Sequence, residues 1–210
     1  ALGGRNHLSD GCGGNARGHM GRLLTLDGVR IVGLCDTAKA SLKASVEAHP
    51  ALARVRKFAD YREMLNEVKM DAVEISTPHT AHYEQIMAAL AKGLHVLTEK
   101  PMVCEVQQAK DVVARASQTG LVVGISYQRH FIAPYRYCRE VIAGGELGGC
   151  HFVSCLQSQN WYRGQVPRGT WRSKMALSGG GQLNDSGSHL LDIVLWMTDL
   201  QPAEVFAFID

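Results

Sequence analysis

Between Val29 and Tyr127, short apolar runs alternate with stretches in which apolar residues recur every three or four positions. Val29–Cys35 is a β-branched and aliphatic run ending at Asp36, the pattern of a buried strand. The spacing predicts a helix over 38–49, stopped by Pro50. Asp60 followed by Glu63 resembles an N-terminal capping box, and Tyr61, Met64, Leu65 and Val68 form one apolar stripe behind it. Residues 72–76 read as a strand. Tyr83, Ile86, Met87 and Leu90 then recur at helical spacing, with Gly93 where a C-terminal cap belongs. Another strand is expected over 94–98, a helix marked by Val106, Ala109, Val113 and Ala116 closes near Gly120, and 121–126 is a further apolar run. Strands separated by helices at this rhythm predict the α/β class, with a doubly wound parallel sheet.

The texture changes after Tyr127. A helix is expected over 134–143, a glycine-rich turn over 144–149 and a strand over 151–159. A long loop carries Trp161, Tyr162, Arg163, Arg168, Trp171, Arg172 and Lys174. The glycine run 179–181 leads through Asp185 and His189 into a helix with a stripe of Leu190, Ile193, Val194 and Met197, and 203–209 reads as a last strand. So few elements bury a sheet face poorly. The expected organisation is therefore one complete domain over 1–126 and a partial second α/β domain over 127–210, cut short.

Composition narrows the function classes. Of 210 residues, 46% are hydrophobic and 20% charged, and 22 Lys+Arg against 20 Asp+Glu leave a net charge of +2. That balance gives no general electrostatic case for nucleic acid or an anionic membrane. No apolar stretch approaches the roughly 18 residues of a membrane span, and the first ten residues lack the apolar core of a secretory signal. Six scattered cysteines without a Cys-x-x-Cys pair point to reduced thiols and a cytoplasmic location.

Three constellations carry candidate chemistry. Gly11-Cys12-Gly13-Gly14-Asn15-Ala16 is a G-x-G-x-x-A pattern opening a helix, where free N–H groups and the dipole favour a pyrophosphate. Asp36, twenty residues beyond Ala16, can accept ribose hydroxyls and would repel a 2′-phosphate. That fingerprint should follow a buried apolar strand, yet residues 1–10 include Arg5, Asn6, His7 and Asp10, so the first strand is expected to be missing or poorly replaced. Glu99-Lys100-Pro101 follows a strand, which would project Lys100 into the crevice where such sheets bind ligands; the alternative is an exposed lysine in a turn. Asp185 and His189, at i and i+4, share a helix face and suit proton transfer from an alcohol; the alternative is a capping carboxylate and a core histidine. His79 and His82 lack cysteine or carboxylate partners, so no metal site is expected.

Taken together, these residues resemble the Gfo/Idh/MocA oxidoreductases. The likeness rests on Gly11-Cys12-Gly13-Gly14, Asp36, Ile75-Ser76-Thr77-Pro78-His79 with His82, and Thr98-Glu99-Lys100-Pro101-Met102. It extends to Tyr127-Gln128-Arg129, Trp171-Arg172 and the stretch from Gly179-Gly180-Gly181 through Asp185 to His189. The resemblance implies a Rossmann domain followed by an open-sheet α/β domain carrying the substrate site and homo-oligomer contacts. It implies NAD as cofactor, with NADP possible, and a sugar or polyol as substrate, oxidised or reduced by hydride transfer. By position, Lys100 would meet the reacting hydroxyl and the cofactor, His189 would be the acid/base and Asp185 its neighbour. Gly11, Gly13, Gly14, Asn15, Ala16, Asp36, Ser76, Thr77, Pro78, His79, His82, Glu99 and Lys100 would bind cofactor. Arg129, Trp171 and Arg172 would join Lys100, Asp185 and His189 around the substrate. Family chains are longer, so an inactive truncated member, or a dinucleotide-binding regulator without catalysis, is the alternative expectation.

Overall fold

The computed structural model describes residues 5–208, with side chains from Gly11 onward. Its centre is a six-stranded parallel sheet: β1 (Arg5–Asp10), β2 (Val29–Cys35), β3 (Arg56–Phe58), β4 (Ala72–Ile75), β5 (His95–Thr98) and β6 (Val123–Ile125). The strand order is β3-β2-β1-β4-β5-β6, so the chain winds outward twice from the middle. This is the doubly wound order, whose switch point lies between β1 and β4, and ligands bind there beyond the carboxyl ends of the strands.

The expectation of a missing first strand is corrected. β1 occupies the middle of the sheet, pairing with β2 along Arg5–Asp10 and with β4 along His7–Asp10, with a register shift between His7 and Leu8. Ladder pairing depends on backbone groups, which every residue of a polar segment supplies.

Helices cover both faces. α1 (Gly14–Leu23) and α2 (Lys39–Ala48) bury Ala16, Met20 and Leu42 with Ile31 and Leu34 of β2 in one cluster. α3 (Tyr61–Glu67), α4 (His82–Ala91) and α5 (Val106–Thr119) bury Met64, Ile86, Leu90 and Val112 with Val73, Ile75 and Val96 in the other. β2 serves both clusters, Ile31 and Leu34 one and Val32 and Cys35 the other, because the register shift to β1 leaves Val32 as an extra residue that resets the alternation of faces. Asp60 caps α3, its carboxylate accepting from the Arg62 N–H at 2.8 Å, and left-handed Gly120 (φ 67°) closes α5.

Beyond β6 the chain forms α6 (Ala133–Ala143), the short α7 (Trp161–Gln165) and α8 (Met175–Ser178), a wide helical turn over Leu183–Gly187, and α9 (Ser188–Thr198). α6 packs on α9: the Arg139 guanidinium donates to the Trp196 carbonyl and lies over the Trp196 ring, on which His130 also stacks with ring centroids 4.5 Å apart. The two strands expected over 151–159 and 203–209 are corrected: 151–159 and 203–208 are irregular, and Ile209 lies outside the described residues. Alternating side chains mark a segment able to be a strand; only a paired neighbour makes it one. Among the described residues no helix is long and apolar enough to cross a membrane.

Candidate active site

The carboxyl ends of β1, β2, β4 and β5 converge on one cleft. At its floor Gly11 adopts φ +87°, and a Cβ there would stand 2.7 Å from the Ser76 carbonyl, so the loop closes only because this residue has no side chain. Gly13 and Gly14 face open space instead, leaving the first turn of α1 bare to the cleft. Asp36 sits at the end of β2 with its carboxylate already aimed: Oδ2 accepts from the Cys12 N–H at 2.8 Å and Oδ1 from the Ala38 N–H at 2.7 Å. A cavity of about 610 Å³ runs from Asp36 and Thr37 past Gly13 to Ser76, Thr77 and Trp171. A second, of about 150 Å³, continues from Gly13, Gly14 and Asn15 to Glu99, Lys100 and Arg172. The open glycines, the bare helix end and the carboxylate at β2 together fit an extended dinucleotide with its diphosphate at α1.

At the far end of the smaller cavity stands Lys100, 7% exposed. Its ammonium donates to the Asp185 carbonyl at 2.8 Å and to Asp185 Oδ1 at 2.7 Å. The other carboxylate oxygen of Asp185 accepts from Trp161 Nε1 at 3.0 Å and faces Arg172 Nε at 3.2 Å. Burial pushes the Asp185 pKa up, but the hydrogen bonds from Lys100 and Trp161 and the charges of Lys100 and Arg172 outweigh it, and the carboxyl is held below its ordinary value. His189, four residues on, has Nδ1 buried without a hydrogen-bond partner. Burial, with the charges of Lys100 and Arg129, pulls its pKa down to about 4, so the ring is neutral at neutral pH.

The second part of the chain is fastened to this cleft through α8 and the residues after it. His79, 2% exposed, lies with Nδ1 2.9 Å from the Ser178 carbonyl, its ring edge-on to Trp171 at 4.7 Å and Nε2 3.7 Å from Asp185. Thr80 donates to the Ala176 carbonyl at 3.0 Å. Left-handed Gly179 (φ 65°) lies so close to Cys104 that a Cβ would sit 2.3 Å from its sulfur.

Of the residues singled out from sequence, the cleft gathers Gly11, Gly13, Gly14, Asn15, Asp36, Ser76, Thr77, Pro78, His79, Glu99, Lys100, Trp171 and Arg172. Ala16 and His82 stand behind it. Ala16 is fully buried on the inner face of α1, and His82, also fully buried, lies 2.8 Å from the Pro101 carbonyl and 3.0 Å from that of Thr77, a buttress for two site loops. Arg129 is half-buried on the His189 side. Sequence reasoning left Trp161 among loop residues and passed over His19 and Glu74. Glu74 did leave a trace, a lone charge inside the apolar run 72–76.

A family model described as "Oxidoreductase family, NAD-binding Rossmann fold" matches residues 11–127, and one for the GFO/IDH/MocA C-terminal domain matches 135–210. The chain is 28% identical over 179 residues to D-glucoside 3-dehydrogenase of Escherichia coli K12, covering 85% of this chain and 49% of that protein. It is 30% identical over 152 residues to 1,5-anhydro-D-fructose reductase of Ensifer adhaerens, covering 72% and 45%. The chain thus spans about half the length of the curated relatives it matches. Among solved structures, Lactobacillus casei scyllo-inositol dehydrogenase with NAD(H) and scyllo-inositol superposes with a TM-score of 0.80 at 22% identity, over 93% of this chain and 56% of that one. The WlbA dehydrogenase of Bordetella pertussis with NADH and UDP-GlcNAcA gives 0.78 at 25% identity, over 93% and 55%.

Proposed function

The chain belongs to the GFO/IDH/MocA oxidoreductase family, and on that premise we propose that it serves an NAD-linked oxidoreduction of a hydroxyl or keto group on a sugar or polyol. One observation carries this reading. Lys100 lines the end of a cleft whose other end holds an open glycine turn and the Asp36 carboxylate; behind it Asp185 pairs with its ammonium at 2.7 Å, and the neutral His189 lies within reach of its charge. Residues 1–126 would form the cofactor-binding unit, and 127–210 the part that brings Asp185 and His189 to it. Relatives named as sugar and inositol dehydrogenases support the substrate class.

A nicotinamide bound in the cleft would supply the site that takes up or gives hydride. The residues do the rest. Two N–H bonds of the Lys100 ammonium are spent on Asp185, and the third is free to donate to the substrate oxygen and stabilise charge developing there. His189, neutral and with Nδ1 unengaged, accepts the hydroxyl proton in oxidation and returns it in reduction. Asp185, ionised and pinned by Lys100, Trp161 and Arg172, orients the ammonium and offsets the positive charge around the site. Arg129, Trp171 and Arg172 would line the sugar. Asp36 would accept the adenosine ribose hydroxyls and disfavour a 2′-phosphate, which makes NAD the preferred cofactor.

The test is a panel of sugars and polyols with NAD and NADP, run on the wild-type protein and on Lys100→Ala. Turnover in the wild type, with a loss of about 10²-fold or more in the variant, is the expected outcome. Undiminished turnover in Lys100→Ala would overturn the assigned roles.

A further inference from the structure

Glu74 is a carboxylate in the middle of a sheet. It lies on β4 between the apolar Val73 and Ile75 and is 1% exposed. No role towards cofactor or substrate was assigned to it above. Its Oε1 accepts from the Ser76 hydroxyl and lies 2.9 Å from Nδ1 of His19, on α1. The opposite ring nitrogen, His19 Nε2, lies 3.3 Å from Oε1 of Glu99, at the end of β5. One imidazole therefore joins the phosphate-side helix to two neighbouring strands, with a carboxylate on each nitrogen.

Both nitrogens can donate at once only when the ring is protonated. Burial works against that charge, as does Arg22 one turn along α1, but the Glu74 hydrogen bond and the charges of Glu74 and Glu99 outweigh them and raise the His19 pKa above its ordinary 6.5. Glu99 is raised in its turn, chiefly by burial, with Glu74 adding to the rise and His19 and Lys100 opposing it. Among the described side chains, the groups facing His19 are thus Glu74 from β4, Glu99 from the end of β5 and Arg22 from its own helix, with Lys100 beyond Glu99. When the ring loses its proton, Glu99 loses the charge of His19 that opposes the charge of Glu74, and its carboxylate is held less firmly against the first helix. Glu99 lines the small cavity beside Asn15 and Lys100, and it also accepts from the Lys100 N–H at 3.3 Å. Its direction sets the shape of that end of the cleft.

We propose that His19 is a positioning residue for the nicotinamide end of the cofactor, clamping Glu99 between Glu74 and the first helix. The proposal rests on the dinucleotide-binding reading above. It predicts that the nicotinamide end of the site loosens when His19 loses its proton, while the adenosine and diphosphate end, built from Asp36 and the glycine turn, does not.

The experiment measures binding of two probes, NADH and ADP-ribose, to the wild-type chain, His19→Gln and Glu74→Gln by calorimetry between about pH 6 and about pH 9. His79 and His189, with pKa values near 4, stay neutral throughout this range. In the wild type, NADH affinity should fall about three- to tenfold as pH rises through the His19 pKa, while ADP-ribose affinity stays flat. His19→Gln keeps one neutral donor in place of the ring, so it should fold, bind NADH about three- to tenfold more weakly at the acid end and show no pH dependence. Glu74→Gln removes the strongest support for the imidazolium and should move the fall in NADH affinity to lower pH. A His19→Gln profile parallel to the wild type, or equal losses for NADH and ADP-ribose, would overturn the clamp while leaving the cofactor reading intact. A wild-type chain that binds neither probe would overturn the cofactor reading and the clamp with it.

Discussion

Removing the Lys100 ammonium strands the Asp185 carboxylate, whose side chain is 7% exposed. Losing one partner of a fully buried pair costs about 3–5 kcal/mol, and because Trp161 and Arg172 remain on the other oxygen, Lys100→Ala should lose about 2–3 kcal/mol. A urea denaturation series would read this, and an unchanged midpoint would mean that the pair contributes nothing to the fold. The buried histidines act through pH. His79 and His189 titrate near 4 in the folded chain against 6.5 ordinarily, so between those values the unfolded chain binds protons that the folded one refuses. Stability should therefore fall as pH drops from about 6.5 and level off below about 4, apart from the later protonation of Asp185. His19, raised, acts in the opposite sense: its contribution is full below its ordinary pKa and is lost as pH rises through the folded value. Denaturation midpoints should peak near neutrality, and midpoints that rise as the pH is lowered from about 6.5 towards about 4 would contradict the assignment.

At the scale of elements, two glycines decide where loops can go. In Gly11→Ala the left-handed backbone costs about 1–2 kcal/mol, and the added methyl meets the backbone of Ser76 at 2.7 Å. The β1–α1 turn should be pushed off β4, and the melting temperature should fall and no longer rise with NADH. Gly179→Ala acts elsewhere, against Cys104 beneath the arm that carries Asp185. A shift of that arm by an ångström should cut turnover by about 10²-fold while NADH binding persists. Loss of NADH binding in Gly179→Ala would show that the arm and the cofactor cleft are not separable in this way. The longer helices and most strands were legible in the sequence because their signal is local, whereas α7 and α8, five and four residues long, fell in and just after what read as a loop. The 72–76 run contains β4, and the 38–49 periodicity contains α2. β3 escaped notice because Arg56–Phe58 is too short for any period to register. β1 was hidden by its polar side chains, which say nothing about backbone pairing.

For the molecule as a whole, the sheet and the region beyond β6 differ in what holds them. β4 and β5 are paired on both sides within the sheet, whereas 151–159 and 203–208 belong to no ladder and leave Phe152, Leu156, Phe206 and Phe208 more than four-fifths exposed. Hydrogen exchange should show slow amides in β4 and β5 and fast ones in these two stretches. Equal protection in both would mean that the stretches are ordered in solution. Cofactor preference is also a property of the assembled cleft. A thermal-shift titration should show a clear rise in melting temperature with NADH and little with NADPH, since in the proposed role the Asp36 carboxylate would repel a 2′-phosphate. Equal shifts would remove Asp36 as the selecting residue.

The doubly wound class, the glycine turn at a helix start, the acid at the end of the second strand and the lysine beyond the fifth could all be read from spacing. Each is written within a few dozen consecutive residues, and local periodicity and turn chemistry depend on little else. Folding alone settled which buried groups meet. That Lys100 and Asp185 are 2.7 Å apart, that Trp161 and Arg172 share the same carboxylate, and that His19 spans Glu74 and Glu99 are contacts between residues 13 to 85 positions apart in the chain. Which polar groups become partners is set by how sheet and helices close around them. The cost of burying a charge without its partner then makes that arrangement exact in space while leaving it nearly silent in sequence.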